Sequence, residues 1–390
     1  GGDGGMNWKK VFLGSLYELP SRNGLTRPSK VRGVGYKMIN MGELFANEWL
    51  YDIPMERVQL NDREKRECLI AKNDLLFARQ SLVASGAGKC SIVREVKEPT
   101  TFESHLIRVR LDTTKAVPLF YYYYFKSPLS PMKTIVTICA QAGIRGSDLA
   151  TLSVECPDLP TQRRIASILS AYDDLIENNR RQIKLLEEAA QRLYREWFVE
   201  LRFPGHESVK VVDGVPEGWK IETVGSLLRK IPRTKQVLTS DYQVSGNIPI
   251  VDQSRDFIAG YTNDTDTCVK PQDAIIVFGD HTRILKYITF PFAKGADGTQ
   301  LIVSNSDCMP QSLFYFSIIH IDLTNYHYAR HFKYLKESTI LVPTKSIANA
   351  YDNIVHPIMK RIQVLRNSCV KAKEVRDRLL PKLMSGEMEV

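Results

Sequence analysis

From Thr161 onward the apolar positions of the chain fall into a strict helical rhythm. Tyr172, Ile176, Asn179, Ile183, Leu186, Ala190, Leu193 and Trp197 are spaced 4, 3, 4, 3, 4, 3 and 4 residues apart, the interval of about 3.5 that defines a coiled-coil seam. Adding 179 to each number gives Tyr351, Val355, Ile358, Ile362, Leu365, Cys369, Ala372 and Arg376, again mostly apolar. The pattern predicts two helices of about 40 residues, each ~60 Å long at roughly 1.5 Å per residue. Asn179 is a polar residue in the seam, a position that fixes register and partner choice. Pro357 predicts a kink or a true start in the second helix. Outside the stripes the apolar runs are short and bounded by Gly, Pro and Asn, as in Ile248 to Val251, Ala274 to Phe278 and Leu301 to Val303. Those lengths suit strands.

The chain also repeats itself. Trp8-Lys9 followed by Gly14-Ser15-Leu16 recurs as Trp219-Lys220 followed by Gly225-Ser226-Leu227, an offset of 219 − 8 = 211. Lys72 to Phe77 matches Lys270 to Phe278, Ser104 to Ile107 matches Thr299 to Ile302, and Leu119 to Tyr122 matches Leu313 to Phe316. Tyr172 to Ile176 matches Tyr351 to Val355. The order is kept while the offset shrinks, as for two copies whose loops differ in length. The tetrad Tyr121 to Tyr124 is read as a core-facing helix, because Leu313 to Phe316 is equally apolar. The expected fold class is α+β: two globular copies joined and separated by two long helices that pair as an antiparallel coiled coil, related by a pseudo-two-fold axis. The boundaries drawn are 6–158 for the first copy, 159–202 for its helix, 203–218 for a Pro- and Gly-rich linker, 219–343 for the second copy and 344–390 for its helix. Residues 1–5, Gly-rich and ahead of Met6, read as a cloning scar.

With 53 Lys plus Arg against 44 Asp plus Glu, the net charge of +9 permits an anionic partner. No run approaches the ~18 apolar residues of a membrane span, and no signal peptide follows the scar, so the expected location is the cytoplasm. Seven scattered cysteines without a C-x-x-C predict reduced, partly buried thiols. His327 and His331 have the spacing of a zinc-protease pair, but Tyr328 stands where its Glu belongs, and no metal site is assigned. No P-loop, G-x-G-x-x-G, G-x-S-x-G, Pro-Pro-aromatic or nuclease triplet is present, so no catalytic residue is assigned either. Basic and polar residues cluster in the loops of both copies instead. Arg22, Arg27, Lys30, Arg32 and Lys37 fall close together in the first, with Arg79, Gln80 and Ser81 and with Lys89 of the Gly86-Ala87-Gly88-Lys89 loop. In the second copy stand Arg229, Lys230, Arg233, Lys235, Gln253, Ser254, Arg255, His281, Arg283, Lys286, Arg330 and Lys333. Arg and Lys neutralise phosphates, and Arg, Gln and Ser also bond base edges, so these residues are the candidate DNA contacts.

The segment Leu159-Pro160-Thr161-Gln162-Arg163-Arg164-Ile165-Ala166, running through Tyr172-Asp173 to Trp197-Phe198-Val199, resembles the central conserved region of the DNA specificity subunits of type I restriction-modification systems. Arg378 to Glu387 resembles their C-terminal conserved region, and Val215-Pro216-Glu217-Gly218-Trp219 the start of a target recognition domain. Gly279-Asp280-His281-Thr282-Arg283, with Lys286-Tyr287 and Gly295 to Gly298, resembles a recurring recognition-domain type. The resemblance implies a non-catalytic subunit without a cofactor of its own, in which each recognition domain reads half of a bipartite double-stranded DNA site and the helices set the gap. It implies two methyltransferase subunits using S-adenosylmethionine and two restriction subunits using ATP and Mg as partners. Two other classes fit the residues alone: a single-chain DNA methyltransferase with built-in recognition domains, and a coiled-coil scaffold that binds no DNA.

Overall fold

The computed structural model describes residues 8–81, 86–138, 142–232, 234–324 and 330–390. It divides into two compact units, one of Gly1–Glu177 with Val370–Val390 and one of Asn178–Cys369. The two seam helices run Leu159–Tyr194, closed by a π-helical turn at Arg195–Val199, and Lys345–Met384. Both helices therefore contribute residues to each unit.

The first unit is built on a five-stranded sheet ordered Tyr17–Asn23, Leu106–Leu111, Leu75–Ala78, Cys90–Val93 and Trp49–Leu50. Leu75–Ala78 is buried along its whole length, which explains an uninterrupted apolar run where a half-exposed strand would alternate. Arg32–Ile39 pairs in parallel with Thr100–Phe102 in a smaller sheet. The helix Pro118–Lys126, with Phe120 and Tyr121 to Tyr124 all buried, joins the core of the large sheet as expected of a core-facing helix. Ile165, Ala166 and Leu169 of the first long helix enter the same core beside Leu380, Leu383 and Met384 of the second. Residues from both ends of the chain thus complete one core.

The second unit repeats the plan with fewer residues. Ile275–Gly279 lies between Leu285–Ile288 and Thr299–Ile302, as Leu75–Ala78 lies between Cys90–Val93 and Leu106–Leu111. Ile248–Val251 pairs in parallel with Phe292–Lys294, as Arg32–Ile39 does with Thr100–Phe102. The repeat extends to single atoms. The amide of Leu13 donates to the carbonyl of Leu152 at 2.8 Å, and that of Val224 to the carbonyl of Ser338 at 2.9 Å. A Cβ on Gly14 would lie 3.0 Å from the carbonyl oxygen of Ala150, and one on Gly225 would lie 3.0 Å from that of Lys336. Both glycines exist because a short helix passes too close for a side chain. The Pro- and Gly-rich segment 203–218 is built into this unit: Phe203 packs against Trp219 with ring centroids 4.8 Å apart and planes tilted by 36°, and Val211–Val212 forms a hairpin with Val215–Pro216.

All seam positions named from the sequence are buried or half-buried. In the second unit Asn179 Nδ2 donates to Ser368 Oγ at 3.0 Å, Arg366 pairs with Glu187 at 2.8 Å, and Tyr351 packs on Trp197, whose ring centroid is 5.9 Å away. Low numbers on one helix meet high numbers on the other, so the pairing is antiparallel. Three details differ from the sequence reading. The second helix starts at Lys345, well before Pro357, so Pro357 is not its start. Met359 is more deeply buried than Ile358. In the first unit the most buried residue at the seam's start is Asp173, while neighbouring Tyr172 is half-buried. A charge can sit there because Arg376, 6% exposed as a side chain, pairs with it, and Tyr123 donates its hydroxyl to the same carboxylate at 2.5 Å. Arg376 also reaches Glu48 at 3.1 Å and Asp377 at 2.8 Å. Burial works against its charge, but Asp173, Asp377 and Glu48 outweigh that and hold its pKa above the ordinary arginine value.

Removing the cation while keeping its bulk, in Arg376→Met, leaves Asp173 buried without its counter-charge and should cost about 3–5 kcal/mol in urea unfolding at neutral pH. Burial pushes the Glu48 carboxyl up, but Lys126 and Arg376 prevail and hold it below the ordinary 4.5. A lowered folded value means stability present above pH 4.5 and lost as the pH falls through the folded value. The wild type should therefore lose stability more steeply below pH 4.5 than Arg376→Met; parallel pH profiles would remove Arg376 from that role. The repeated glycines make a second test. Gly14→Ala and Gly225→Ala should each cost about 1–3 kcal/mol, and a cost at one site alone would mean that the two contacts are not equivalent.

Candidate nucleic-acid interface

In the second unit the sharpest grouping of candidates is the hairpin turn after Ile275–Gly279. Gln253 is its hub. Its Nε2 donates to the carbonyl of Asp297 at 2.9 Å, its Oε1 accepts from the amide of His281 at 3.1 Å, and its carbonyl accepts from Thr282 Oγ1 at 2.7 Å. The amide of Asp280 donates to the carbonyl of Gly298 at 2.7 Å, and the Asp280 carboxylate accepts from the amide of Phe332 at 2.7 Å. Gly298 has φ +73, and a Cβ there would lie 2.7 Å from the His281 ring, so only glycine closes the turn. Arg283 also sits at positive φ, 62°, and its Nη1 donates to the carbonyl of Leu323 at 3.2 Å. The result is a rigid loop that leaves His281, Thr282 and Arg283 exposed on its rim. Arg255 is exposed on the neighbouring segment and has no ion-pair or hydrogen-bond partner among the described residues.

Lys286 is not on that rim. It is 4% exposed and donates to the carbonyl of Asp256 at 2.5 Å, and burial lowers its pKa. Ser254 is half-buried. Lys235 pairs with Asp264 at 2.6 Å, whose hydrogen bond holds the lysine above its ordinary pKa. The side chains of Arg229, Lys230 and Arg330 are exposed without an ion-pair or hydrogen-bond partner among the described residues; Lys333 is exposed beside the Tyr334 ring, 5.9 Å from its centroid. Arg233 and His327 lie outside the described residues. His331 is buried at the start of a short helix, with Nδ1 2.8 Å from the carbonyl of Asp280.

In the first unit most of the basic candidates already hold a carboxylate. Arg22 pairs with Glu67 at 2.5 Å, Arg27 with Glu64 at 2.6 Å, Arg32 with Glu56, and Lys37 with both Asp52 and Glu98. Hydrogen bonds from Arg57 and Lys37 push Glu98 down to about 2. Lys30 is exposed without such a partner among the described residues. Arg79, Gln80 and Ser81 follow the strand Leu75–Ala78 and lead toward Lys89, the same topological place as the Asp280 to Ile284 turn. Lys89 donates to the carbonyl of Phe45 at 2.9 Å, and burial, then Lys126, lowers its pKa. The sequence carried no signal for these acids, which lie on a helix, a strand and two loops outside the basic cluster. The hub role of Gln253 was equally hidden, since its partners are 28 to 44 residues away.

Among the described residues no cluster of three or more His, Cys, Asp or Glu is placed to hold a metal ion. No helix among them is long and apolar enough to cross a membrane. None of the six described cysteines forms a disulfide.

Residues 6–188 match the family model of the type I restriction modification DNA specificity domain. The chain is 24% identical to the type I restriction enzyme MjaIX specificity subunit of Methanocaldococcus jannaschii over 94% of this chain and 90% of the relative. It is 26% identical to the putative type I restriction enzyme MjaX specificity subunit of the same organism, over 66% of this chain and 61% of that relative. The crystal structure of a type I restriction-modification system S subunit from M. genitalium shares the fold, with a TM-score of 0.65 over 98% of this chain and 97% of that one at 16% identity. Residues 6–188 thus carry the type I restriction modification DNA specificity domain, and along nearly its whole length the chain is similar to a type I restriction enzyme specificity subunit.

Proposed function

We propose that this chain is the DNA-reading subunit of a type I system. Each recognition fold reads one half of a bipartite duplex site, the paired helices set the gap, and the chemistry resides in partners: two methyltransferase subunits using S-adenosylmethionine and two restriction subunits using ATP and Mg. The observation that carries this reading is the doubled recognition fold. In both copies the buried central strand pairs antiparallel with its next neighbour, and the candidate polar residues follow that strand: Arg79 to Ser81 in the first copy, Asp280 to Arg283 in the second. Docking of two identical partners is supported by the exposed apolar positions of the helices. Leu175 and Ile354, 42% and 46% exposed, are equivalent, since 354 − 175 = 179. Leu185 and Val364, 64% and 56% exposed, are equivalent too, since 364 − 185 = 179. Apolar residues kept exposed at matched positions suit a surface used twice.

Three tests follow from this reading. In binding to cognate duplex by the complex with its methyltransferase, Arg255→Ala should cost ~1–3 kcal/mol and relax one position of one half-site. Equal weakening on all duplexes, with a salt slope reduced by about 1, would make Arg255 a phosphate contact instead. Inserting four residues after Lys184 and four after Gln363 keeps the seam in register and adds ~6 Å. Methylome sequencing should then show unchanged half-sites with a gap altered by about one or two base pairs; an unchanged gap means that the helices are not the ruler. Finally, Leu185→Glu with Val364→Glu should abolish copurification of the methyltransferase while leaving the melting temperature of the chain unchanged. Retained copurification would place docking elsewhere.

A further inference from the structure

The two long helices are equivalent at an offset of 179, and that offset makes one contact special. Glu187 of the first helix pairs with Arg366 of the second at 2.8 Å, and 366 − 187 = 179. The helices therefore meet there at the same position of the repeat, so two copies of either helix, paired in the same register, would set identical residues against each other. A first helix against itself would oppose Glu187 with Glu187. A second helix against itself would oppose Arg366 with Arg366. From this we infer that the seam is coded for heterotypic pairing: the first helix accepts a second helix, its own or that of another copy of the chain, and rejects a copy of itself.

Two further contacts support the assignment. Arg366 is fixed on its other side by the Phe257 ring, 4.2 Å from its centroid, so the guanidinium is held in place rather than free to turn away from a like charge. The buried Asp173 carries the same code in the first unit. Its partner Arg376 corresponds to Trp197 on the first helix, since 376 − 179 = 197. A first helix paired with itself would thus bury Asp173 opposite an indole, twice, with its counter-charge gone. Charges flanking or interrupting an apolar seam choose partners in this way: they add little to the right pair and penalise the wrong one. Glu187 and Arg366 are 41% and 27% exposed as side chains, so solvent screens the pair, and exchanging an opposite for a like charge should change pairing by about tenfold.

The test uses the full chain with a protease site inserted at the exposed Asp213–Gly214 hairpin turn, cut after purification so that the two pieces are held by their own contacts. Cut Glu187→Arg and cut Arg366→Glu proteins, each piece with its own tag, are mixed, unfolded in urea and refolded together. Cross-pairs that restore opposite charges should exceed the parental like-charge pairs by about tenfold, and wild-type first pieces with two different tags should not capture one another. Random partition of the four pieces, or recovery of first–first pairs as readily as first–second pairs, overturns the inference. Should the cut pieces not refold, the uncut variants decide. Each single reversal should lower the melting temperature and the double reversal restore it; a double variant no more stable than the lower single one overturns the inference equally.

Discussion

A guanidinium that is 6% exposed keeps its charge and so must meet its counter-charge inside the protein. Arg376 meets Asp173, Glu48 and Asp377, and Tyr123 completes the carboxylate of Asp173. Four separate stretches of the first unit converge on that point: the loop before Trp49, the aromatic helix, the first long helix and the end of the second. None can shift without exposing or orphaning a charge. Because Arg376 belongs to the last 21 residues, and Leu380, Leu383 and Met384 fill the same core as Ile165 and Leu169, the first recognition fold is finished by the end of the chain. Its stability is therefore inseparable from the antiparallel pairing of the helices.

The second unit solves the equivalent packing problem without the ion pair. Asp352, the counterpart of Asp173, accepts a hydrogen bond from Ser312 at 2.5 Å, and Trp197, the counterpart of Arg376, lies among Tyr194, Phe198 and Tyr351. Phe198 and Phe203 both pack against Trp219, which closes the segment after the helix onto this cluster. One end of the repeat is thus sealed by charge and the other by aromatic area. The backbone plan tolerates both because the requirement at that place is burial of a bulky pair, and the chemistry that satisfies it is free to diverge.

This also explains what the sequence makes legible. Apolar periodicity exposes the helices, and short apolar runs expose the buried strands, because both signals are local and repeat along the chain. The glycines of the repeat survive for a steric reason and so remain visible at positions 14 and 225. Asp173 escapes a reading that follows apolar residues and settles on Tyr172, since a buried acid is intelligible only with Arg376, 203 residues away. The same holds for the carboxylates that neutralise Arg22, Arg27, Arg32 and Lys37: a cluster of basic residues looks like a phosphate site until the folded chain brings acids from elsewhere. Pro357 reads as a kink or a helix start by its local rule; the helix begins twelve residues earlier, because the seam continues on both sides of the proline and packing outweighs the start.

The construction of the hairpin turn in the second unit separates what shapes it from what it exposes. In the second unit the turn at Asp280 to Ile284 is held by main-chain groups, by Gln253 and Asp280 turned inward, and by the glycine at 298, none of which needs a partner outside the protein. The side chains that remain on the rim, His281 and Arg255 among them, contribute little to holding the turn. Substitutions there change what the surface offers without touching what shapes it. A DNA base contact placed on that rim is consequently decoupled from folding, whereas Gln253, though chemically suited to read a base edge, has both ends of its amide committed to the loop. On this turn the residues free to vary are those that the fold does not use.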